Sequence, residues 1–146
     1  MVSKVKKVLA YITREHKGRT QLLVLTHPNS PEAGLQVPAG TVDEGENTED
    51  AVLREAIEET GLKALRVVRK LGVFDYANTY TGQTNERHVF HLLAPSDTVE
   101  TWEWLETGGG AVPDHEGHLF AFYWVDLDAS FQLAGNQGDY LHKLEL

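Results

Sequence analysis

The sequence predicts an α+β fold, and three observations carry that expectation. Apolar, β-branched and aromatic residues gather in short runs separated by turn residues. Only one early segment carries a full set of helix start and stop signals. The 146 residues, 41% hydrophobic and 24% charged, are enough to bury a core without disulfide or metal staples. The expected organisation is one domain over residues 1–146.

Taken in order, Lys4 to Arg14 is rich in Val, Ile and Tyr and reads as a strand. His16-Lys17-Gly18-Arg19 is a turn of hairpin length, and Gln21 to Thr26 is an apolar run of buried-strand length. Two prolines, an Asn, a Ser and a Gly mark His27 to Gly34 as a loop, and a second loop runs from Pro38-Ala39-Gly40 to Asn47. The helix comes next. Asn47 or Thr48 can cap its start, Glu49 and Asp50 suit its positive end, and Gly61 stands where a left-handed cap would close it. At 100° per residue, Val52, Leu53, Ala56, Ile57 and Thr60 fall on one side and Glu55, Glu58 and Glu59 on the other. Leu65 to Tyr76, Glu86 to Ala94 and Leu119 to Val125 are β-rich. Pro95 to Gly117, which contains Trp102, Trp104 and Gly108-Gly109-Gly110, reads as a long loop, and Asp126 to Leu144 as a final helix with an irregular start.

Composition excludes several classes of function. With no cysteine, the chain has no disulfide framework, thiolate metal site or cysteine nucleophile. Thirteen Lys and Arg against 22 Asp and Glu give a net charge of −9, which argues against nucleic acid or an anionic membrane surface as a partner. The apolar run Val8 to Ile12 is too short for a signal peptide, and nothing approaches a membrane span. The expected location is cytoplasmic.

Three glutamates within one stretch of helix repel one another by a few tenths of a kcal/mol per pair, roughly. A solvated acidic face relieved by Arg54 would explain them, and from the cluster alone that is the better account. The other account is a site for a hard divalent cation, which prefers clustered carboxylate oxygens. The surrounding residues shift the balance. Gly40, five residues, Glu46, seven residues, then Arg54-Glu55-Ala56-Ile57-Glu58-Glu59-Thr60-Gly61-Leu62 resembles the signature of the Nudix hydrolases at every fixed position. Ala56 is the small end of what its aliphatic slot accepts. The Trp124-Val125-Asp126-Leu127-Asp128 run also looks like the strand end before the last helix of that family.

The resemblance implies an α/β/α sandwich with a mixed β-sheet. It also implies Mg²⁺-dependent hydrolysis, with Mn²⁺ as a substitute, of a pyrophosphate bond in a nucleoside diphosphate linked to another group. On these positions it makes Glu55, Glu58 and Glu59 the metal-binding cluster, with the Gly40 carbonyl as a further ligand. Arg54 orients the glutamates, and Glu46 organises the loop. For the general base it leaves Glu55 and Glu116 level, with Glu58 a further candidate and Glu86 an outsider. Tyr80, eighteen residues past Leu62, resembles a tyrosine of the dinucleoside-polyphosphate hydrolases, and Tyr76 is a second aromatic candidate for substrate contact.

Other residues invite a role and are better read as structure. His115 and His118 lie in a polar loop, and His88 and His91 are three apart in a strand and so point to opposite faces. Phe74, Trp102 and Trp104 read as packing residues, and the three glycines lack the Lys-Ser/Thr ending of a phosphate-binding loop. The expected substrate is a small nucleotide: a dinucleoside polyphosphate or a (deoxy)nucleoside triphosphate, with an ADP-ribose-like compound as a further option. The expected assembly is a monomer or homodimer, and the alternative function is a non-catalytic nucleotide-binding or regulatory module. An acidic protein that handles polyanionic phosphates needs a cation between the two. Turnover is therefore expected to vanish in EDTA and return with Mg²⁺ or Mn²⁺, as followed by chromatography of the products.

Overall fold

The computed structural model describes residues 4–106 and 118–144, with the His118 side chain left aside. Among the described residues, seven strands form one sheet: β1 Lys4–His16, β2 Arg19–Thr26, β3 Ala39–Thr41, β4 Arg66–Ala77, β5 Thr84–Leu93, β6 Thr101–Glu106 and β7 His118–Asp126. Their order is β4-β5-β1-β2-β7-β6, with β3 added to β1. The β1–β5 pair is parallel and all the others are antiparallel, so the sheet is mixed.

Strand β1 is the centre of the molecule. Val8 to Arg14 are all buried, which is why this stretch is not a clean apolar–polar alternation. Its even positions Val8, Ala10 and Ile12 pack with Phe90, Leu92 and Phe122 under the helix α1, Thr48–Thr60. Its odd positions Leu9 and Tyr11 pack with Leu22, Val24, Val37 and Leu133 on the other face. Arg14 is wholly buried, stacked on the Trp124 ring at 4.4 Å and bonded to Gln21, Glu100 and the Thr98 carbonyl. Its charge is thus satisfied by a cage rather than by water.

Helix α1 begins and ends where its signals place it. The Asn47 side chain accepts from the Asp50 amide at 2.8 Å, a cap worth about 1 kcal/mol. Gly61 adopts φ +76° and returns its amide to the Ile57 carbonyl. The buried residues are Ala51, Val52, Ala56, Glu59 and Thr60, with Leu53 and Ile57 half-buried. Glu59 therefore leaves the expected carboxylate side. Seven residues return a helix to within about 20° of its starting direction, so Glu59 follows Val52 inward. Among the described residues no helix is long and apolar enough to cross a membrane.

Three expectations are corrected. Residues 39–41, expected in the second loop, form β3 against β1. Residues 101–106, expected in a loop, form β6, where Trp102 and Trp104 alternate with outward residues against β7. The final helix is absent: 126–144 is an extended strap with 3-10 turns at Ala134–Asn136 and Leu141–Lys143. Gly135 and Asn136 both take positive φ, which breaks a helix at its middle, and Tyr11 and Arg87 bind the carbonyls of Gln137 and Gly135 instead. The strap fills the layer opposite α1 by side-chain anchoring.

The α1 terminus is held by tryptophan. The indole N–H groups of Trp102 and Trp104 donate to the carbonyls of Thr60 and Glu58, both at 2.8 Å. These carbonyls lie in the last turn, where no helical amide follows to bond them. A Cβ added at Gly61 would come within 2.7 Å of the Trp104 ring, whereas one at Gly45, φ +80°, would meet nothing within 4 Å. Gly45→Ala is thus expected to cost about 1 kcal/mol for its left-handed backbone, and Gly61→Ala about 1–2 kcal/mol more. Urea denaturation of the two variants compares them, and equal costs would show that the Trp104 contact yields freely.

Candidate active site

The site is organised around Arg54, which projects from the second turn of α1 towards the preceding loop. Its Nε and Nη2 hold both carboxylate oxygens of Glu46, at 2.8 and 2.9 Å. Nη1 reaches Glu55 at 2.9 Å and Glu58 at 3.2 Å, and Nη2 also binds the Thr41 carbonyl at 3.1 Å. The bidentate pair with Arg54 draws the Glu46 carboxyl down to about 2. Glu46 also accepts the Asp43 amide at 3.0 Å, closing the turn that contains Gly45. One guanidinium thus ties the loop to the helix and aims two glutamates.

Gly40 lies on β3, opposite Val8 of β1, directly beneath Glu55. A Cβ there would fall 2.1 Å from the Glu55 carboxyl carbon, so only glycine leaves that space to the carboxylate. Glu59 is 7% exposed. Burial pushes its carboxyl well above the ordinary range, the charges of Glu106 and Glu55 add to the rise, and a backbone hydrogen bond from Ala39 opposes them. Burial also raises Glu55, against the pull of Arg54.

This donor set suits a hard divalent cation. It consists of carboxylate oxygens and a backbone carbonyl, and Glu59 is a buried acid whose charge no guanidinium or ammonium partner among the described residues neutralises. The set is not drawn together as a finished chelate: among the described residues no three acidic or histidine side chains stand in ligating array. Arg54 holds one oxygen each of Glu55 and Glu58, leaving the other oxygens for a cation.

The remaining sequence candidates separate clearly. Glu116 lies outside the described residues, as do His115 and the three glycines, and the His118 side chain is left aside with them. Glu86 is bonded to His88 Nε2 at 2.8 Å and adds its charge at Lys4. His91 faces the other side of the sheet and meets Thr13 Oγ1 at 2.7 Å. Tyr76 lines a cavity of about 670 Å³ and stacks under the Arg87 guanidinium at 3.9 Å. Tyr80 lines the same cavity at its fully exposed margin.

Three residues that sequence reasoning passed over belong here. Glu106 follows Trp102 and Trp104 at a spacing of two on β6, the same strand face that clamps α1, and its charge acts on both Glu55 and Glu59. That alternation was the available signal. Lys7 and Arg87 line a hollow of about 200 Å³ beside Gly40, and nothing local in the sequence marks either one.

A scan against family models matches the NUDIX domain over residues 4–144. An RNA pyrophosphohydrolase of Bartonella quintana is 26% identical over 106 residues, covering 64% of this chain and 57% of that protein, so this chain spans little more than half of that relative's length. Among solved structures, an Ap4A hydrolase binary complex from C. elegans superposes with TM-score 0.67 at 21% identity, covering 95% of this chain and 93% of that one. A MutT NUDIX hydrolase from Burkholderia pseudomallei superposes with TM-score 0.64 at 25% identity, covering 98% and 99%.

Glu59 also sets an expectation for the metal-free protein. A carboxyl raised on folding loses stability as pH climbs from its unfolded value towards its folded one, because the native state must then carry a buried charge. In EDTA at pH 8, Glu59→Gln is expected to melt higher than wild type by a few degrees, roughly. The gap should close near pH 4, where the unfolded chain also holds the proton. A lower melting temperature at pH 8 would contradict the buried, uncompensated carboxylate.

Proposed function

The chain belongs to the Nudix family, and from that premise we propose that it hydrolyses a pyrophosphate bond in a nucleoside diphosphate linked to another group. A dinucleoside polyphosphate or a (deoxy)nucleoside triphosphate is the favoured substrate, with ADP-ribose-like compounds as further members of the class. The observation that carries this reading is Glu59, a carboxyl buried beside Glu55 and Gly40 with no cationic partner among the described residues.

Glu55, Glu58, Glu59 and the Gly40 carbonyl would hold Mg²⁺, or Mn²⁺ in its place. A bound divalent cation supplies neutralisation of phosphate charge and acidification of water. The chain's own groups do the positioning. Arg54 fixes Glu55 and Glu58 in direction, and β3 keeps Gly40 against Glu55. Glu55 serves as the base: burial raises its affinity for a proton, and Arg54 opposes that rise. Glu116 is a second candidate for that role. Tyr76 offers its ring to a base in the adjoining cavity, with Tyr80 at the margin.

The 5′-triphosphate end of RNA is a second reading, favoured by the name of the Bartonella quintana relative and opposed by the net charge of −9. One panel decides among these: nucleoside triphosphates, diadenosine polyphosphates, ADP-ribose and a 5′-triphosphorylated oligonucleotide, with Mg²⁺. The expected result is cation-dependent release of a mononucleotide, falling on the order of 100- to 1,000-fold in Glu59→Gln. Binding without turnover of any compound would instead support a non-catalytic module.

A further inference from the structure

Lys7 and Arg87 occupy facing positions on the parallel strands β1 and β5. Both are odd-numbered, so both side chains leave the sheet on the face of Leu9 and Tyr11. Like charges placed opposite each other across a strand pair repel, and partial burial strengthens the repulsion. Burial holds each group below its ordinary range; at Lys7 the charge of Glu55 opposes this and the smaller effect of the Arg87 charge adds to it.

Neither cation makes an ion pair with a carboxylate among the described residues. Lys7 Nζ donates to Thr41 Oγ1 at 2.6 Å. Arg87 donates to the Gly135 carbonyl and lies over the Tyr76 ring. In a chain with 22 acidic residues, a half-buried lysine and a buried arginine left facing each other are a costly arrangement that a shared anion would relieve. Gly40 also lines the hollow, and Arg87 and Gln137 are walls common to it and to the larger cavity of Tyr76.

We infer that Lys7 and Arg87 form a polyphosphate-binding site, across which a chain of phosphates runs from Gly40 towards Tyr76. The anion is a run of contiguous phosphates rather than a single carboxylate, because two cations stand side by side and the hollow they line shares Arg87 and Gln137 with the larger cavity. Three or more phosphates in a row would engage both cations, whereas an ADP-linked sugar offers only two. This substrate preference rests on the hydrolase reading above, but the anion site itself does not.

Calorimetric titration with tripolyphosphate in EDTA tests the site without turnover. Wild type is expected to bind, Lys7→Gln to weaken binding by about 10-fold or more, and Lys7→Arg to stay within about threefold of wild type. Absence of binding by wild type, or equal affinity in Lys7→Gln, overturns the site. With Mg²⁺ and diadenosine tetraphosphate, Lys7→Gln is expected to raise KM by about 10-fold with kcat nearly unchanged, and to alter KM for ADP-ribose by less than about threefold. A loss in kcat alone would mean that Lys7 acts through Glu55, which overturns the substrate preference. If tripolyphosphate binding is lost in Lys7→Gln while no compound is hydrolysed by wild type, the anion site stands and the hydrolase reading falls.

Discussion

One arginine has to hold together groups that repel. Arg54 contacts Glu46, Glu55 and Glu58 and the carbonyl of Thr41. Without it, the loop after β3 would lose its charged anchor on the helix, and Glu55 and Glu58 would lose the guanidinium that opposes their repulsion. The rest of the site is arranged around that contact. Gly40 is bare so that Glu55 can lie against the strand, Asn47 starts the helix at the residue that gives Arg54 its reach, and Gly45 turns the loop back so that Glu46 meets the guanidinium. Glu59 stands outside the arginine's reach and inside the protein, where its charge has the least relief.

The far side of the sheet solves the opposite problem. There the cations Lys7 and Arg87 face each other, and the strap through Gly135 and Gln137 closes over them. Strand β1 is common to both sides, with Val8 under the acidic helix and Lys7 turned to the basic hollow. A single pleat therefore separates an anionic surface from a cationic one. The chain's net charge gives no hint of this separation, because an average over 146 residues removes it.

What the sequence disclosed follows from how local each signal is. The start and end of α1 were legible because caps act over three or four residues, and Asn47 and Gly61 make the contacts that their types imply. The α+β class was legible, since the β-rich runs stood apart from the single capped helix; the mixed sheet came only with the resemblance. Strand β6 was misjudged because its flanking Pro95 and glycines resemble a loop, although Trp102 and Trp104 already alternated. The final helix failed because the contacts that hold 126–144, from Tyr11 and Arg87, come from 48 or more residues away in sequence. Within the site, Arg54, Glu55, Glu58 and Gly40 could be named from one contiguous stretch. Lys7, Arg87 and Glu106 could not, since only the sheet brings them near it.

The pairing of β1 with β5 also shapes how the chain must be made. Lys4 meets Thr84 and Thr13 meets Leu93, so the central strand waits for about 80 residues of further synthesis before its parallel neighbour exists. At ordinary elongation rates that is roughly 4–16 s on the ribosome. The β2 hairpin can pair with Thr13 to His16 at once, but Val8 to Ile12 stay open on the edge that β5 will cover. The lysines at 4, 6 and 7 flank that apolar run, and their mutual repulsion discourages a nascent strand from adding to its copy on a neighbouring chain.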